Sequence, residues 1–195
     1  MGGRLCLDFC NTTDNGRRGP EDRLESYGDL VRWGWRAGIL TPEEAARLAR
    51  LGASSPADAS MVRKRAVRLR DALTSIFSSV AEGRGLRPGA LDVLNHELSG
   101  PMSRSRVVPA DRGFTWLWTE GGGALDCVLW PIARSGADLL TEGPLNAIRV
   151  CEGRGCGWLF LDASRNRTRR WCDMRICGNR AKARRHHERT KAGAA

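Results

Sequence analysis

The sequence has no run of about 18 apolar residues, the length that a membrane-spanning helix requires. Its opening, Met1-Gly2-Gly3-Arg4-Leu5-Cys6, meets the charge of Asp8 too soon to read as a secretory leader. A cytoplasmic location is therefore expected, and a membrane partner is not. Internal repeats and low-complexity segments are lacking apart from the Gly-Ala end. Signatures of catalysis are also missing: no nucleophile–base pair stands out, and no metal site has an open position. Gly121-Gly122-Gly123 lacks the following Lys-Ser/Thr of a phosphate-cradling loop and reads as a turn. A small enzyme is the least expected class, and a large pocket of convergent ionisable groups would favour it.

The 195 residues allow one domain, or one plus a small module. With 41% hydrophobic and 28% charged residues, the chain can bury an ordinary core. The net charge of +10 is unevenly placed. Residues 1–148 hold 19 basic and 18 acidic side chains, whereas residues 149–195 hold 13 and 4. A near-neutral body thus carries a cationic end, which points to a polyanion, nucleic acid before an anionic membrane surface. A solvated basic tail is the plainer alternative. Arginine's planar fork suits phosphates and guanine edges, but arginine also dominates the body, where Lys64 is the sole lysine.

Seven cysteines divide in the same way. Cys6, Cys10 and Cys127 are scattered among apolar residues, while Cys151, Cys156, Cys172 and Cys177 form two C-x4-C pairs fifteen residues apart. An odd total argues against a disulfide framework. The repeated short spacing reads as two knuckles closing a tetrahedral four-thiolate site for one structural Zn2+. Gly155, Gly157 and Gly178 flank the second cysteines and let backbone N–H groups turn toward the sulfurs. Four reduced buried thiols are the alternative, and the surrounding sequence is too polar to bury them.

The expected fold class is α+β: a predominantly helical N-terminal domain with a small β-sheet, then a small treble-clef-like four-cysteine zinc module. Residues 4–13 alternate weakly and predict a short strand, followed by a loop from Asp14 to Pro20. Helices are expected over residues 26–37, 41–51, 55–81, 88–98 and 125–141. The second opens on the capping box Thr41-Pro42-Glu43-Glu44. The third shows one buried face through Val62, Ala66, Leu69, Leu73, Ile76, Phe77 and Val80. Pro131 either kinks the last or marks its true start. Residues 104–108 and 114–119 predict a hairpin.

Within the basic end, residues 158–162 predict a strand, and residues 165–170 either a return strand or an arginine-rich loop. A helix is expected from Gly178 toward Arg189, cationic nearly all round and without an apolar stripe. The last cysteine would then sit at the helix start, where unpaired N–H groups suit a thiolate. A module of about 40 residues forms little core, so zinc supplies folding energy. His186 and His187 read as helix-surface residues because four cysteines complete the coordination. Trp158 and Trp171 read as a mini-core in preference to stacking on bases.

The string Arg169-Arg170-Trp171-Cys172-Asp173-Met174-Arg175-Ile176-Cys177-Gly178-Asn179-Arg180-Ala181-Lys182 resembles the CGNR zinc-finger signature. Leu5-Cys6-Leu7-Asp8-Phe9-Cys10-Asn11-Thr12 resembles the start of the ABATE domain that precedes this finger in bacterial proteins. The resemblance implies a transcriptional regulator, with a ligand-sensing ABATE domain over residues 1–143 and a DNA-binding finger over residues 144–195. It also implies Cys151, Cys156, Cys172 and Cys177 as the zinc ligands. Relatives usually carry several residues more at the start, which leaves an upstream start or a shortened strand as alternatives.

On this reading the cationic end meets DNA, with RNA as the other polymer. Phosphate contacts are expected from Arg165, Arg167, Arg169, Arg170, Lys182, Arg184 and Arg185. Asn179 and Arg180 are the candidates for base edges. A small-molecule effector site is expected near Asp8, Asn11 and Thr12, with Arg70 from the long helix; capping of a turn is the alternative for Asp8 and Asn11. The body would sense this effector or form a homodimer. A redox or zinc switch is a further alternative, in which Arg154, Arg170 and Arg175 favour thiolate character and oxidation releases the helix.

Overall fold

A computed structural model describes residues 2–15, 20–118 and 124–192. The middle of the expected Asp14–Pro20 loop, the Gly121-Gly122-Gly123 turn and the Gly-Ala end lie outside the described residues. Among those described, no helix is long and apolar enough to cross a membrane.

The expected strand at the start is instead a helix, α1 (Leu5–Cys10). Cys6, Leu7, Phe9 and Cys10 are buried, while Leu5 and Asp8 are half-buried along one edge of the six-residue helix. A short apolar run of this kind has no period that separates strand from buried helix. The ends of the following loop form β1 (Thr13–Asn15) and β2 (Pro20–Asp22), which pair antiparallel.

The helices that follow keep close to expectation. In α2 (Tyr27–Arg36), Asp29 N–H donates to Ser26 Oγ at 3.1 Å and Ser26 N–H to Asp29 Oδ2 at 2.9 Å. The Thr41–Glu44 capping box opens α3 (Pro42–Ser54) in the same reciprocal way. The 26-residue α4 (Pro56–Ala81) is the centre of the body. Its Leu69, Leu73, Ile76 and Phe77 are fully enclosed among side chains of α1, α2, α3 and α5 (Ala90–Arg104). The last of these runs six residues past the expected end, through Gly100 and Pro101. Pro131 occupies the first turn of α6 (Trp130–Thr141), so it marks the helix start and no kink.

Among the described residues the strands form three separate two-stranded hairpins, two in the body and one in the finger, within the expected α+β class. The second, β3 (Ser105–Ala110) with β4 (Gly113–Trp118), turns at Asp111-Arg112 and leaves Val107, Phe114 and Leu117 exposed. The third pairs β5 (Ile148–Val150) with β6 (Leu159–Leu161) in the register Ile148↔Leu161, Arg149↔Phe160, Val150↔Leu159. It brackets the first cysteine pair. The partner of the residue 158–162 strand is therefore upstream, and residues 165–170 form a loop.

Two buried-to-surface ion networks fasten α4. Arg65 donates to both Glu97 oxygens (3.1 and 2.8 Å) and to Asp126 at 3.0 Å. The enclosed Arg70 makes two bonds to Asp22 (2.6 and 3.0 Å) and one to Asp71 at 3.3 Å, tying α4 to β2. The Arg70 guanidinium hydrogen bonds hold the Asp22 carboxyl below its usual value of 3.8. Its share of stability is therefore present above that value and is lost as pH falls through the lowered one. Asp22→Asn should lower the urea midpoint at pH 7 and narrow the gap between the pH 7 and pH 3 midpoints. Equal pH sensitivity in both proteins would contradict the assignment.

Candidate zinc centre and nucleic-acid interface

Cys151 follows β5 directly, and the chain then turns back tightly toward β6. Gly155 and Gly157 take φ of +69° and +64° on either side of Cys156, conformations that a Cβ would strain. Cys156 N–H donates to Gly153 O at 2.8 Å and Cys151 N–H to Trp158 O at 2.8 Å, which closes the first knuckle. In the second, Cys177 N–H donates to Asp173 O at 2.9 Å. The Asp173 carboxylate accepts from Arg175 N–H (2.7 Å) and Ile176 N–H (3.2 Å), capping a wide helical turn, Met174–Gly178. That turn runs straight into α7 (Asn179–Ala192).

The two knuckles bring all four sulfurs within 4.8 Å of one another. Cys156 and Cys172 sulfurs stand 3.6 Å apart, and those of Cys172 and Cys177 3.8 Å. Four sulfurs at a zinc–thiolate bond length of about 2.3 Å form a tetrahedron with edges of about 3.8 Å. The donor set therefore fits one tetrahedral zinc ion. Cys151 Sγ also accepts from Gly153 N–H at 3.4 Å and Cys172 N–H at 3.3 Å, the peptide donors a coordinating thiolate needs. The neighbouring Cys156 and Cys172 sulfurs, with those two peptide donors, hold Cys151 well below the usual thiol range and so favour a thiolate there.

Around the sulfurs, Trp158 and Phe160 are buried and Trp171 is half-buried, the mini-core expected from the sequence. His186 and His187 lie exposed along α7. Of the flanking glycines, Gly178 has no positive φ; a Cβ there would instead meet Met174 Sδ at 2.8 Å. Gly153 has the tighter link to the metal site, since its Cβ would lie 3.1 Å from Cys177 Sγ.

The expected nucleic-acid residues separate into two groups. Arg169 packs its guanidinium 4.7 Å from the Phe160 ring centroid and donates to the Trp171 carbonyl at 2.8 Å and to the Cys172 carbonyl. Arg170 pairs with Glu152 at 2.7 Å and lies over Trp171. Both brace the finger. Arg165 and Arg167 sit exposed on the loop, and neither makes an ion pair among the described residues. Arg180, Lys182 and Arg185 are exposed on α7, with Arg184 half-exposed. Asn179 folds its amide back onto Arg175 O at 3.1 Å.

Sequence reasoning missed what shapes the arginine loop. Buried Asp162 accepts from Ser164 N–H (2.9 Å) and Oγ (2.5 Å) with one oxygen, and from Arg169 N–H (2.8 Å) with the other. The Asp-x-Ser spacing was the available signal for this local turn. Arg167 takes φ of +49° within the loop that results.

Two family models match successive parts of the chain. Residues 3–143 match the ABATE family model, described as "Putative stress-induced transcription regulator". The chain belongs to the ABATE family. Residues 147–190 match the CGNR zinc finger, so the four-thiolate cluster holds one structural zinc. No curated protein matches the chain.

In this ABATE protein the expected effector residues do not all converge. Asp8, Asn11 and Thr12 line one cleft beside the finger, whereas Arg70 is enclosed in its pairs with Asp22 and Asp71. Asp8 accepts from Gly2 N–H at 2.8 Å, and Thr12 Oγ1 donates to Phe9 O at 2.8 Å. The Asn11 amide donates to Leu159 O at 2.8 Å and accepts from Leu159 N–H at 2.9 Å, joining body to finger.

Two outcomes follow from these contacts. Purified protein should carry one zinc per chain by elemental analysis, and Gly153→Ala should lose it to a colorimetric chelator with affinity reduced about tenfold. Asn11→Ala strands both polar groups of Leu159 in a buried setting and should cost about 2–4 kcal/mol in denaturant unfolding.

Proposed function

We propose that this protein is a zinc-dependent DNA-binding transcription regulator, its body (residues 1–143) sensing a small molecule and its finger (residues 144–195) meeting DNA. The observation that carries this reading is α7, cationic around nearly its whole circumference, exposed along its length and anchored at one end to the four-cysteine cluster. A helix with no apolar face to bury is suited to lie against phosphates. The regulator description of the family supports the same reading.

Cys151, Cys156, Cys172 and Cys177 hold the zinc, which cross-links the two knuckles and neutralises part of the thiolate charge. The Asp173 cap then directs the chain into α7. Arg165 and Arg167 on the loop, and Arg180, Lys182, Arg184 and Arg185 on the helix, supply phosphate contacts. Arg180, near the helix start, and Asn179, once its amide swings off Arg175 O, reach base edges.

Point variants test this better than truncation, because Ile148 and Leu159 of the finger hairpin fill the body's core. Fluorescence anisotropy with the protein's own upstream DNA should show affinity falling steeply with salt. The triple variant Arg180→Ala, Arg184→Ala, Arg185→Ala should reduce the log–log salt slope by about 2–3, near 0.9 for each phosphate no longer neutralised. Zinc content should stay unchanged. Arg169→Ala should instead loosen zinc retention. Wild-type affinity in the triple variant would overturn the reading, and tighter binding to single-stranded RNA of the same sequence would redirect it to RNA.

A further inference from the structure

The join between body and finger encloses a cleft of about 660 Å³, within the range of about 300–1,000 Å³ typical of small-molecule sites. Its walls come from α1, α2 and the finger, and they carry Arg4, Arg23, Arg32, Arg36, Trp33 and Trp158. Four arginines thus line one space. The carboxylates in the lining are two, and both are engaged: Asp29 in the α2 cap and with Arg32 at 2.8 Å, Asp8 with Gly2 N–H. Arg4 and Arg36 make no ion pair among the described residues.

Apolar surface lies beside this charge. Trp33 is half-buried, its ring 4.9 Å from that of Phe9, and the Arg23 guanidinium stands 5.8 Å from the centroid of Trp158. An arginine fork pairs bidentately with a carboxylate, and indole walls cover a ring or carbon chain. The hydroxyl and carboxylates of the lining already serve hydrogen bonds of the fold.

We propose that this cleft is a binding site for a small organic carboxylate, held by Arg4 and Arg36 and covered by Trp33 and Trp158. An occupant touches body and finger together. The cleft wall at Asn11 bonds Leu159, Gly2 O accepts from Leu161 N–H at 2.8 Å, and Trp158 packs in the zinc mini-core. Binding there changes the finger's affinity for DNA, a consequence that rests on the function proposed above; the site itself does not.

Zinc-loaded full-length protein, titrated with benzoate, citrate and inorganic phosphate, tests the site by tryptophan fluorescence. Saturable quenching by benzoate or citrate is expected, at least fivefold tighter than by phosphate. Arg4→Ala and Arg36→Ala, both at exposed positions, should each weaken it about tenfold with zinc content and melting temperature unchanged. No saturable carboxylate binding, equal phosphate binding, or unaltered affinity in both variants would overturn the site. DNA affinity at saturating carboxylate is a separate measurement. No change there overturns the coupling alone, whereas failure to bind DNA at all counts against the preceding function and leaves the isotherms intact.

Discussion

The β5–β6 hairpin has two cores to serve, and its register decides both. Ile148, Val150, Leu159 and Leu161 point into the body, where Ile148 and Leu159 are fully enclosed beside α4. Phe160 points the other way, into the cysteine mini-core, with Arg149 opposite it. A slip of one residue would exchange these faces, placing Phe160 in the body and Leu159 against the sulfurs. The difference between those side chains guards against the slip, and Asn11 fastens the strand at this point by bonding both backbone groups of Leu159. The zinc site and the helical body thus depend on one strand pair.

That arrangement explains how a short module sustains an exposed helix. The finger's own enclosed side chains are its cysteines with Trp158 and Phe160, too few for a core by themselves. Metal coordination fixes the knuckles, and the body fixes the hairpin between them. Arginine does the remaining bracing. Arg169 fills the space over Phe160 and satisfies the Trp171 and Cys172 carbonyls, so its charge is directed inward at the metal site. Only after these positions are set aside does a distinct group of outward-facing cations remain on the loop and on α7.

The parts legible in the sequence were those with short-range causes. The Thr41–Glu44 box, the 3–4 spacing of α4 and the doubled C-x4-C each act within a few residues, and each appears where it was expected. α1 was misread because a mostly buried apolar run of six residues is too short to show a period. The Asn11–Leu159 bonds span 148 residues, and no local pattern announces such a partner. The Arg70–Asp22 pair likewise spans 48 residues, and it encloses an arginine that the sequence offered for a ligand site. The cationic stretch was legible as charge but not as division of labour, since Arg165, Arg167, Arg169 and Arg170 differ only in what Asp162 and Glu152 do to their neighbourhood.

Along α7 the charges work against the helix that carries them. Arg180 with Arg184 and Arg185 with Arg189 each stand four residues apart. On one helix face, two like charges at that spacing destabilise by about 0.2–0.5 kcal/mol. Against this the Asp173 carboxylate offers a cap one turn upstream, and Glu188 is the sole acidic residue along the helix. The helix therefore holds its shape with its charges unfavourably arranged, a tension that a phosphate backbone would relieve at every one of these positions. A solubilising tail gains nothing from a fixed helical scaffold or from a zinc-ordered start. A surface built to meet a polyanion gains from both, since the cost of ordering those cations is met before the partner arrives.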